Sequence, residues 1–593
     1  MKTMHRGRVS CGALRAADEG GTAELYGWIN RRRDHGGLIF VDLRDNAGVT
    51  QVVFDPRHPS FHEAEHLRHE DVLRVRGAVR LRPAGTENPK LSTGEIELGV
   101  EELEILNRSQ VPPFSVNSDD PVDENLRMEY RYLDLRRARM QRNLRVRHRI
   151  VKAVRDFFDA RDFVEIETPM LMKSTPEGAR DYLVPSRLHP GSFYALPQSP
   201  QMLKQILMIA GFGRYMQIAR CMRDEDLRAD RQPEFTQVDV EMAFVNQDDV
   251  LETMESCMRY VWKTVLDVDL PPFVRLTYDE AISRYGVDKP DLRFGLELAA
   301  VDDVFRATEF GVFASALSAG GSVVALRYPG GASLSRRDFD ALTETAKQFG
   351  AGGMVWIAYG ADGVKSPAAK FLTDADLAAV RGAANAQPGD AVLLFAGERA
   401  LAYGVAGRMR NEVGERCSLR DDRAFAFCWV TGFPYLDIDE ETGKPVPAHH
   451  PFTAPAEGQW ALIETDPMHM RAQHYDMVLN GYELGSGSIR IHKPEQQRRI
   501  FEMLGLSAKD VEERFGFFVR ALDYGAPPHG GMALGVDRIV MLACGEENIR
   551  EVIAFPKNQV GRDLMMDAPS EVPEQNLREL YLRSTAQGQS GGR

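Results

Sequence analysis

Alternating apolar and polar positions predict two β-strands on either side of a charged loop within residues 214–242. Met216, Ile218 and Met222 alternate with more polar neighbours before the loop, and Val238 and Val240 do so after it. A period of two is typical of a strand with one buried face. The pattern fits either a solvated sheet edge with scattered ion pairs or the wall of a binding site. The polar face carries Gln217, Arg223, Phe235, Gln237, Asp239 and Glu241.

Five short apolar runs, separated by turn-forming residues, predict a β-barrel in the first 108 residues. This many strands in about a hundred residues is typical of an OB-type barrel, which often binds single-stranded nucleic acid. Arg31, Arg32 and Arg33 could contact a phosphate backbone, although three adjacent arginines are also common in solvated turns. The runs are residues 23–30, 38–43, 49–54, 72–81 and 96–106.

Helical spacing follows a proline-containing linker at residues 109–145. Ile150, Val154 and Phe157 predict an amphipathic helix, and residues 164–168 predict a strand that ends before Pro169. The arginines at residues 131–149 fit either phosphate contacts or ion pairs that stabilise this helix, and the sequence supports both. Farther along, Gly-rich turns separate mixed strands and helices, which predicts an inserted domain.

The bulk properties restrict the class of protein and its compartment. The chain has 593 residues, more than one hydrophobic core usually serves, so three or four domains are expected. A net charge of -14 argues against nonspecific nucleic-acid binding over the whole surface. The six cysteines form no CxxC pair, which argues against a zinc site and indicates a reducing, cytoplasmic compartment. No apolar run reaches about 18 residues, so we expect neither export nor membrane insertion.

The charged loop carries the most specific signal in the chain. Residues 223–237, RDEDLRADRQPEFTQ, resemble motif 2 of the class II aminoacyl-tRNA synthetases, in the form found in bacterial aspartyl-tRNA synthetases. Residues 524–538, YGAPPHGGMALGVDR, resemble motif 3. The helix and strand before Pro169 resemble motif 1, which forms the dimer interface in that family. The resemblance covers essentially the whole chain and implies an α+β fold with an antiparallel catalytic sheet, in a homodimer.

The resemblance also implies how the chain is divided. An anticodon-binding barrel is expected to precede a catalytic domain that is interrupted by an inserted α+β domain. The expected segments are the OB-fold barrel at 1–108, a linker at 109–145, the first catalytic part with motifs 1 and 2 at 146–284, the inserted domain at 285–415, the second catalytic part with motif 3 at 416–560, and a C-terminal extension at 561–593.

The same resemblance implies activation of L-aspartate with ATP and Mg²⁺, followed by transfer to the 3′ end of tRNA. Arg223 would contact the α-phosphate and Arg538 the γ-phosphate. Asp476 and Glu483 would bind Mg²⁺, a cation that prefers carboxylate oxygen. Arg223, Arg538 and Glu483 are the expected catalytic residues, and Phe235 would stack on the adenosine. The full expected ATP site is Arg223, Asp224, Glu225, Gln232, Phe235, Glu483, Gly535, Val536, Asp537 and Arg538.

A pocket for the amino acid is implied beside the ATP site. Arg490 and Lys204 would bind the side-chain carboxylate, and asparagine would leave these cations under-compensated. Gln201, Asp239 and Glu177 would hold the ammonium group. Replacing Arg490 by leucine is expected to abolish aspartate activation while leaving the fold intact. The pocket is completed by Ser199, Arg223, His449 and His450.

The resemblance leaves two alternatives for the tRNA specificity. Phe40 would stack on an anticodon base, Gln51 would read a base edge and Arg31 would add a cation. His35 and Gly85 resemble residues of relaxed bacterial enzymes that charge both tRNA(Asp) and tRNA(Asn). An enzyme strict for tRNA(Asp) remains the alternative.

Two hypotheses compete with this reading. One is an asparaginyl- or lysyl-tRNA synthetase, which shares the barrel and the motifs, but the inserted domain and Arg490 disfavour it. The other is an inactive paralogue that binds RNA or regulates another protein. Arg223, Glu483 and Arg538 disfavour it, because an inactive protein has no need of them.

Overall fold

The structure is a computed structural model that describes residues 8–118, 120–174, 178–439 and 442–585. The chain forms two compact units. The first unit comprises Met1–Arg145 and Arg550–Ser570, and the second comprises Val146–Ile549 and Glu571–Arg593. This division is coarser than the six segments expected from the sequence, whose boundaries stay a prediction.

The first unit contains a closed barrel of five strands, as the apolar runs predict. Alternate residues of each strand face inward, so Leu25, Ile29, Val41 and Val75 are fully buried. The first strand is longer than predicted and continues through the three arginines to His35, so the solvated-turn reading of these arginines is wrong. The strands are β1 (Thr22–His35), β2 (Leu38–Arg44), β3 (Val49–Phe54), β4 (Val72–Leu81) and β5 (Ile96–Asn107), in the order β1-β2-β3-β5-β4.

Short helices occupy the segment that the sequence predicts as a linker. Arg131 lies here, 2% exposed, with its guanidinium 2.6 Å from Asp134. The same guanidinium donates to the main-chain oxygens of Arg550 and Ile553. At Arg131 the ion-pair interpretation therefore holds, and a phosphate contact is excluded by burial. The helices of this segment are α2 (Glu124–Glu129), α3 (Arg131–Asp134) and the first turns of the longer α4 (Ala138–Asp159), whereas α1 (Phe61–Glu65) lies between β3 and β4 of the barrel.

The second unit begins with the helices and strands that carry motifs 1 and 2. The motif 1 strand is shorter than predicted, with one further hydrogen bond from Ile166 N to Met216 O (3.2 Å). The elements are β6 (Val164–Glu165), β7 (Leu183–Pro185), β8 (Phe193–Ala195), α5 (Gln201–Ile209), β9 (Arg214–Met222), β10 (Glu234–Ala243), α6 (Gln247–Leu266), β11 (Val274–Thr277) and α7 (Tyr278–Tyr285).

A separate five-stranded sheet forms the inserted region. Apolar residues are buried on both of its faces, where helices pack. The strands and helices are β12 (Ala299–Ala300), α8 (Gly311–Ser318), β13 (Ser322–Tyr328), α9 (Arg336–Gln348), β14 (Val355–Gly360), β15 (Gly363–Lys365), α10 (Asp374–Ala383), β16 (Ala391–Gly397) and α11 (Arg399–Arg416), with strand order β12-β13-β16-β14-β15.

The chain then returns to the catalytic sheet. None of the described helices is long and apolar enough to cross a membrane. The remaining elements are β17 (Phe427–Thr431), β18 (Leu436–Ile438), β19 (Pro445–Pro447), α12 (Leu462–Thr465), β20 (His474–Leu479), β21 (Tyr482–Ile489), α13 (Pro494–Met503), α14 (Ala508–Leu522), β22 (His529–Gly535), α15 (Val536–Cys544) and α16 (Glu574–Glu579).

Eight strands form the catalytic sheet, in the order β11-β17-β20-β21-β22-β10-β9-β6. All neighbours are antiparallel except the parallel pairs at the two edges, β11 with β17 and β6 with β9. The predicted α+β class is confirmed. Because β10 pairs with β9 on one side and β22 on the other, it is not an edge strand of the sheet. Asp239 and Glu241 are 0% exposed, so the solvated-edge interpretation is wrong.

Candidate active site

A cavity of about 350 Å³ is lined by β10, β21 and β22, by the start of α15 and by the loop between β9 and β10. Two residues expected to bind ATP do not line it. Val536 is 1% exposed in the core, and the main-chain N–H of Asp224 donates to Arg180 O (3.1 Å). The expected residues that do line it are Arg223, Glu225, Gln232, Phe235, Glu483, Gly535, Asp537 and Arg538.

Two arginines and an aromatic ring give this cavity the chemistry that a nucleoside triphosphate requires. The guanidinium carbon of Arg223 lies 5.1 Å from the centre of the Phe235 ring. Arg538 Nη2 lies 3.0 Å from Asp230 Oδ2, and its Nη1 contacts the main-chain oxygen of Glu483. Guanidinium groups bind phosphate oxygens with two parallel hydrogen bonds, and aromatic faces stack on bases. The cavity therefore offers cations for phosphate and a platform for a base.

Asp537 lines the same cavity but is also used inside the protein. Its Oδ2 accepts from the main-chain N–H of Thr236 (2.9 Å), and its Oδ1 lies 2.5 Å from Arg147 Nη1. These contacts connect β10 with the first turn of α15. The Asp537 carboxylate therefore helps to position α15, the helix that carries Arg538. This role does not depend on any contact between Asp537 and a nucleotide.

Asp476 and Glu483 face a second cavity, of about 380 Å³, which shares Glu483 and Ser486 with the first. Burial raises the pKa of Asp476 well above its ordinary value. The charge of Asp476, followed by burial, raises the pKa of Glu483. Two nearby carboxylates with raised pKa values favour a cation between them, and oxygen ligands suit Mg²⁺. The donor set therefore fits the magnesium ion that the family resemblance implies.

The acid pair could not complete the coordination of such an ion alone. Within the described residues, no cluster of three or more His, Cys, Asp or Glu side chains has metal-binding geometry. Mg²⁺ takes six oxygen ligands and usually keeps several waters, so phosphate and water oxygens would supply the remaining positions.

Buried histidines border the acid pair and carry no charge near pH 7. The His474 Nε2 lies 2.9 Å from Asp476 Oδ1, and the His449 ring stacks on that of His474 at 3.4 Å. Burial lowers the pKa of His449 to about 2 and that of His474 to about 3. Burial, followed by the charge of Arg490, lowers the pKa of His450 well below its ordinary value. These rings can therefore donate and accept hydrogen bonds without adding positive charge.

Four buried charged residues, Lys204, Asp239, Glu241 and Arg490, form what we call the charge cluster. Lys204 Nζ lies 3.0 Å from Asp239 Oδ1 and 3.5 Å from Glu241 Oε2. Arg490 donates to both oxygens of Glu241, at 2.9 and 3.1 Å. Both cations thus already have carboxylate partners within the chain, a compensation that the expected under-compensation by asparagine did not take into account. Glu241 was not among the predicted site residues, although it follows Asp239 by two positions on the same strand face.

The charge cluster leaves particular polar atoms available to a ligand. Arg490 Nη1 donates to His450 Nε2 (2.7 Å) and to Ser488 Oγ (2.6 Å). Asp239 Oδ2 and Gln201 Nε2 are buried without a hydrogen-bond partner among the described residues. An unpaired carboxylate oxygen suits an ammonium group, whereas an amide N–H suits a carboxylate. Asp239 therefore fits its predicted role, and Gln201 fits a contact with a carboxylate better than its predicted contact with ammonium.

Two further residues predicted for the amino-acid pocket are Ser199 and Glu177. The hydroxyl of Ser199 accepts from the main-chain N–H of Gln201 (3.2 Å) at the start of α5, the helix that carries Lys204. Glu177 lies outside the described residues, so its predicted ammonium contact stays a prediction.

Three of the predicted anticodon residues, Arg31, Phe40 and Gln51, share one face of the barrel strands β1 to β3. Arg33 pairs with Phe40 across β1 and β2, and Arg31 pairs with Asp42. Gln51, which is 6% exposed, donates to Glu97 Oε2 (2.9 Å) and accepts from Arg33 Nη2 (3.2 Å). Arg33 and Glu97 thus fix the orientation of the Gln51 amide. The sequence predicted Arg31 as an anticodon residue, but neither Arg33 nor Glu97. Three adjacent arginines do not reveal which one contacts a residue on another strand.

His35 lies at the end of a barrel strand, and Gly85 lies in a loop between two barrel strands. His35 is exposed and ends β1, pairing with Leu38 across a two-residue turn. Both turn residues, Gly36 and Gly37, have positive φ (60° and 78°), as the tight turns of two-residue hairpins require. Gly85 has a φ of 86° in the loop between β4 and β5, a conformation that favours glycine.

Comparisons with known proteins agree with this geometry. The family "tRNA synthetases class II (D, K and N)" matches residues 123–559, and "OB-fold nucleic acid binding domain" matches residues 23–106. A relative from Moorella thermoacetica, named aspartate–tRNA(Asp/Asn) ligase, is 53% identical over 98% of this chain and 97% of its own length. A relative from Geobacillus kaustophilus, named aspartate–tRNA ligase, is 51% identical over 96% of this chain and 98% of its own.

Solved structures support the fold. The asparaginyl-tRNA synthetase of Pyrococcus horikoshii, complexed with asparaginyl-adenylate, superposes with a TM-score of 0.58 at 19% identity, over 93% of this chain and 98% of that one. At this identity the likeness concerns the fold alone.

The barrel, the eight-stranded sheet with its arginine-lined cavity and the family match place this chain in the class II aminoacyl-tRNA synthetases, enzymes that use ATP. Within that class it belongs to the bacterial-type aspartyl-tRNA synthetases, which are aspartate–tRNA ligases. The two competing hypotheses from the sequence, a ligase for another amino acid and an inactive paralogue, are therefore set aside.

Proposed function

We propose that this cytoplasmic enzyme activates L-aspartate in the charge cluster, using ATP bound in the neighbouring cavity, and transfers it to both tRNA(Asp) and tRNA(Asn). The observation that carries the aspartate site is the buried group of Lys204, Asp239, Glu241 and Arg490, with an unpaired Asp239 oxygen. The observation that carries the nucleotide site is the cavity between Arg223, Phe235 and Arg538.

The activation step needs neutralisation of charge more than covalent participation by the protein. The α-carboxylate of aspartate attacks the α-phosphorus, an anhydride bond forms, and pyrophosphate leaves. Arg223 neutralises charge on the α-phosphoryl oxygens, and Arg538 exchanges its contact with Asp230 for the γ-phosphate. Asp476 and Glu483 would hold the magnesium ion, which supplies positive charge to the phosphate oxygens.

Selection against asparagine follows from hydrogen-bond complementarity. A side-chain carboxylate is an acceptor at both oxygens, so it suits Arg490 Nη1 and Lys204 Nζ, both of which are donors. An amide would present its NH₂ group to one of these donors, leaving buried donors facing one another. Because Asp239 and Glu241 already balance the cations, this donor mismatch replaces missing charge compensation as the basis of selection.

We further propose that the enzyme is a homodimer formed through motif 1. Val164, Met170 and Leu171 follow the motif 1 helix and are 44%, 39% and 50% exposed in the single chain. Met170 and Leu171 are neighbours in the chain, and a group of exposed apolar side chains is typical of an interaction surface. Light scattering on the purified protein should give twice the chain mass of 66.4 kDa, and Leu171→Glu should shift the mass towards one chain. A wild-type mass of one chain at micromolar concentration would contradict the dimer.

The proposal for two tRNAs rests on His35 and Gly85, and the Moorella thermoacetica relative bears a name with both specificities. The anticodons of the two tRNAs differ at one base, and one base contact contributes about 1–3 kcal/mol. We expect His35→Leu to reduce charging of tRNA(Asn) about 10-fold or more relative to charging of tRNA(Asp). The measurement is kcat/KM for each purified tRNA.

A matched control is available in the same barrel unit. His62→Leu removes an exposed histidine on α1, beside Glu65, and should leave both rates unchanged. A wild-type enzyme that does not charge tRNA(Asn) would contradict the relaxed specificity and leave the strict tRNA(Asp) enzyme as the function.

A further inference from the structure

An acid from outside the catalytic sheet faces the proposed magnesium ligands. Asp288 lies between α7 and the inserted sheet, and it lines the second cavity together with Asp476 and Glu483. Asp437, His449 and His474 line the same cavity. Asp288 and the two proposed ligands are therefore exposed to the same cavity.

The inserted region holds the segment that follows Asp288 in place. Arg410 of α11 is 1% exposed and donates to main-chain oxygens of residues 291–296. The Asp291 side chain lies against Gly481, where an added Cβ would be 3.4 Å from the Asp291 Cβ. Gly481 is the turn residue of the β20–β21 hairpin, which carries both acids. The inserted region thus packs, through this segment, against the hairpin that presents the proposed metal ligands.

Direct coordination by Asp288 does not fit the structure, but a contact through water does. No cluster of three metal-binding His, Cys, Asp or Glu side chains occurs in the described part of the chain, so Asp288 does not join Asp476 and Glu483 as a third carboxylate ligand. Mg²⁺ in such sites keeps several waters, whose protons need acceptors. A carboxylate that lines the same cavity, of about 380 Å³, is a suitable acceptor for them.

We propose that Asp288 is a positioning residue for the magnesium ion, accepting hydrogen bonds from its water ligands, and that the inserted region holds it there. This inference rests on the proposed magnesium site at Asp476 and Glu483. It gives the inserted region a role in the first reaction step, although none of its residues needs to touch a substrate.

The test uses Mn²⁺ as a spectroscopic probe in the full-length enzyme. Binding of Mn²⁺ is measured by electron paramagnetic resonance in the presence of the ATP analogue α,β-methylene-ATP. Asp288→Asn, which keeps the shape and removes the charge, should weaken Mn²⁺ binding about 10-fold. Asp288→Glu should recover most of the affinity. The KM for aspartate should stay at the wild-type value in both variants, because the charge cluster is unchanged.

Two further variants separate this inference from the proposed metal site. Asp476→Asn should weaken Mn²⁺ binding at least as much as Asp288→Asn does. Asp362→Asn makes the same charge change in the turn between β14 and β15 and should have no effect. If Asp476→Asn weakens binding while Asp288→Asn stays within twofold of wild type, the role of Asp288 is refuted and the metal site stands. If Asp476→Asn also has no effect, the metal site itself is refuted, and the inference falls with it.

Discussion

Replacing Arg490 by leucine should lower aspartate-dependent exchange between ATP and pyrophosphate about 10⁴-fold. The substrate carboxylate would lose the donor at Arg490 Nη1, the group that contacts His450 and Ser488. Sites built to hydrogen-bond a substrate group discriminate by this magnitude when the pairing is lost. The measurement is kcat/KM for aspartate in the exchange assay, together with direct binding of ATP, which should change little.

The structure changes the expectation that this variant leaves the fold intact. Arg490 donates to both oxygens of buried Glu241, so leucine would leave that carboxylate with Lys204 at 3.5 Å as its remaining cation. Removing one partner of a buried ion pair costs about 3–5 kcal/mol. We therefore expect a lower melting temperature for Arg490→Leu, in addition to lost activity.

A double variant separates the two effects. Arg490→Leu with Glu241→Gln removes the orphaned charge and should recover much of the lost melting temperature without recovering activity. Exchange with aspartate within 10-fold of wild type in either variant would contradict the assignment of Arg490 to the substrate carboxylate. Loss of ATP binding in the double variant would indicate that the damage extends beyond the amino-acid pocket.

The strands of the catalytic sheet were predictable because each pattern is local. The alternation along β10 indicated which face is polar and placed Asp239 on it. The residue that contacts this polar face could not be predicted from the alternation, because Glu241 and Arg490 are 249 positions apart in the sequence. Only the pairing of β10 with β22, and of β22 with β21, brings them together.

The same dependence on distant strand pairing explains why the sequence does not reveal the ion-pair partners of Lys204 and Arg490. Sequence shows that Lys204 and Arg490 are positive, but their compensation depends on which carboxylates are buried beside them. In the barrel, the period of two shows that Arg31 and Arg33 face the same side. It does not show that Arg33 is the one whose side chain reaches Gln51 on β3. Resemblance supplied the identity of the sites, whereas the three-dimensional pairing determines which contacts stabilise them.

The second large effect is expected for Arg223→Gln. This variant should lower kcat for the exchange reaction about 100- to 1000-fold. Arg223 lines the nucleotide cavity beside Phe235, where its charge would meet the phosphoryl group as pyrophosphate leaves. Removing one positioned donor of this kind costs about 3–4 kcal/mol in the transition state. Binding of ATP should weaken much less than kcat falls, because Phe235 and Arg538 still hold the nucleotide.

Arg220→Gln is the matched control for this variant. Arg220 lies on β9, the strand that ends just before Arg223, but it pairs with Glu234 at 2.5 Å and does not line the nucleotide cavity. Its exposed ion pair contributes at most about 1 kcal/mol, so kcat should stay near the wild-type value. Equal losses in the two variants would mean that the strand pair needs its arginines for folding. If only Arg223→Gln loses activity and its melting temperature is unchanged, the effect lies in the chemical step. The charge of Arg223 then matters only when the phosphoryl group is transferred.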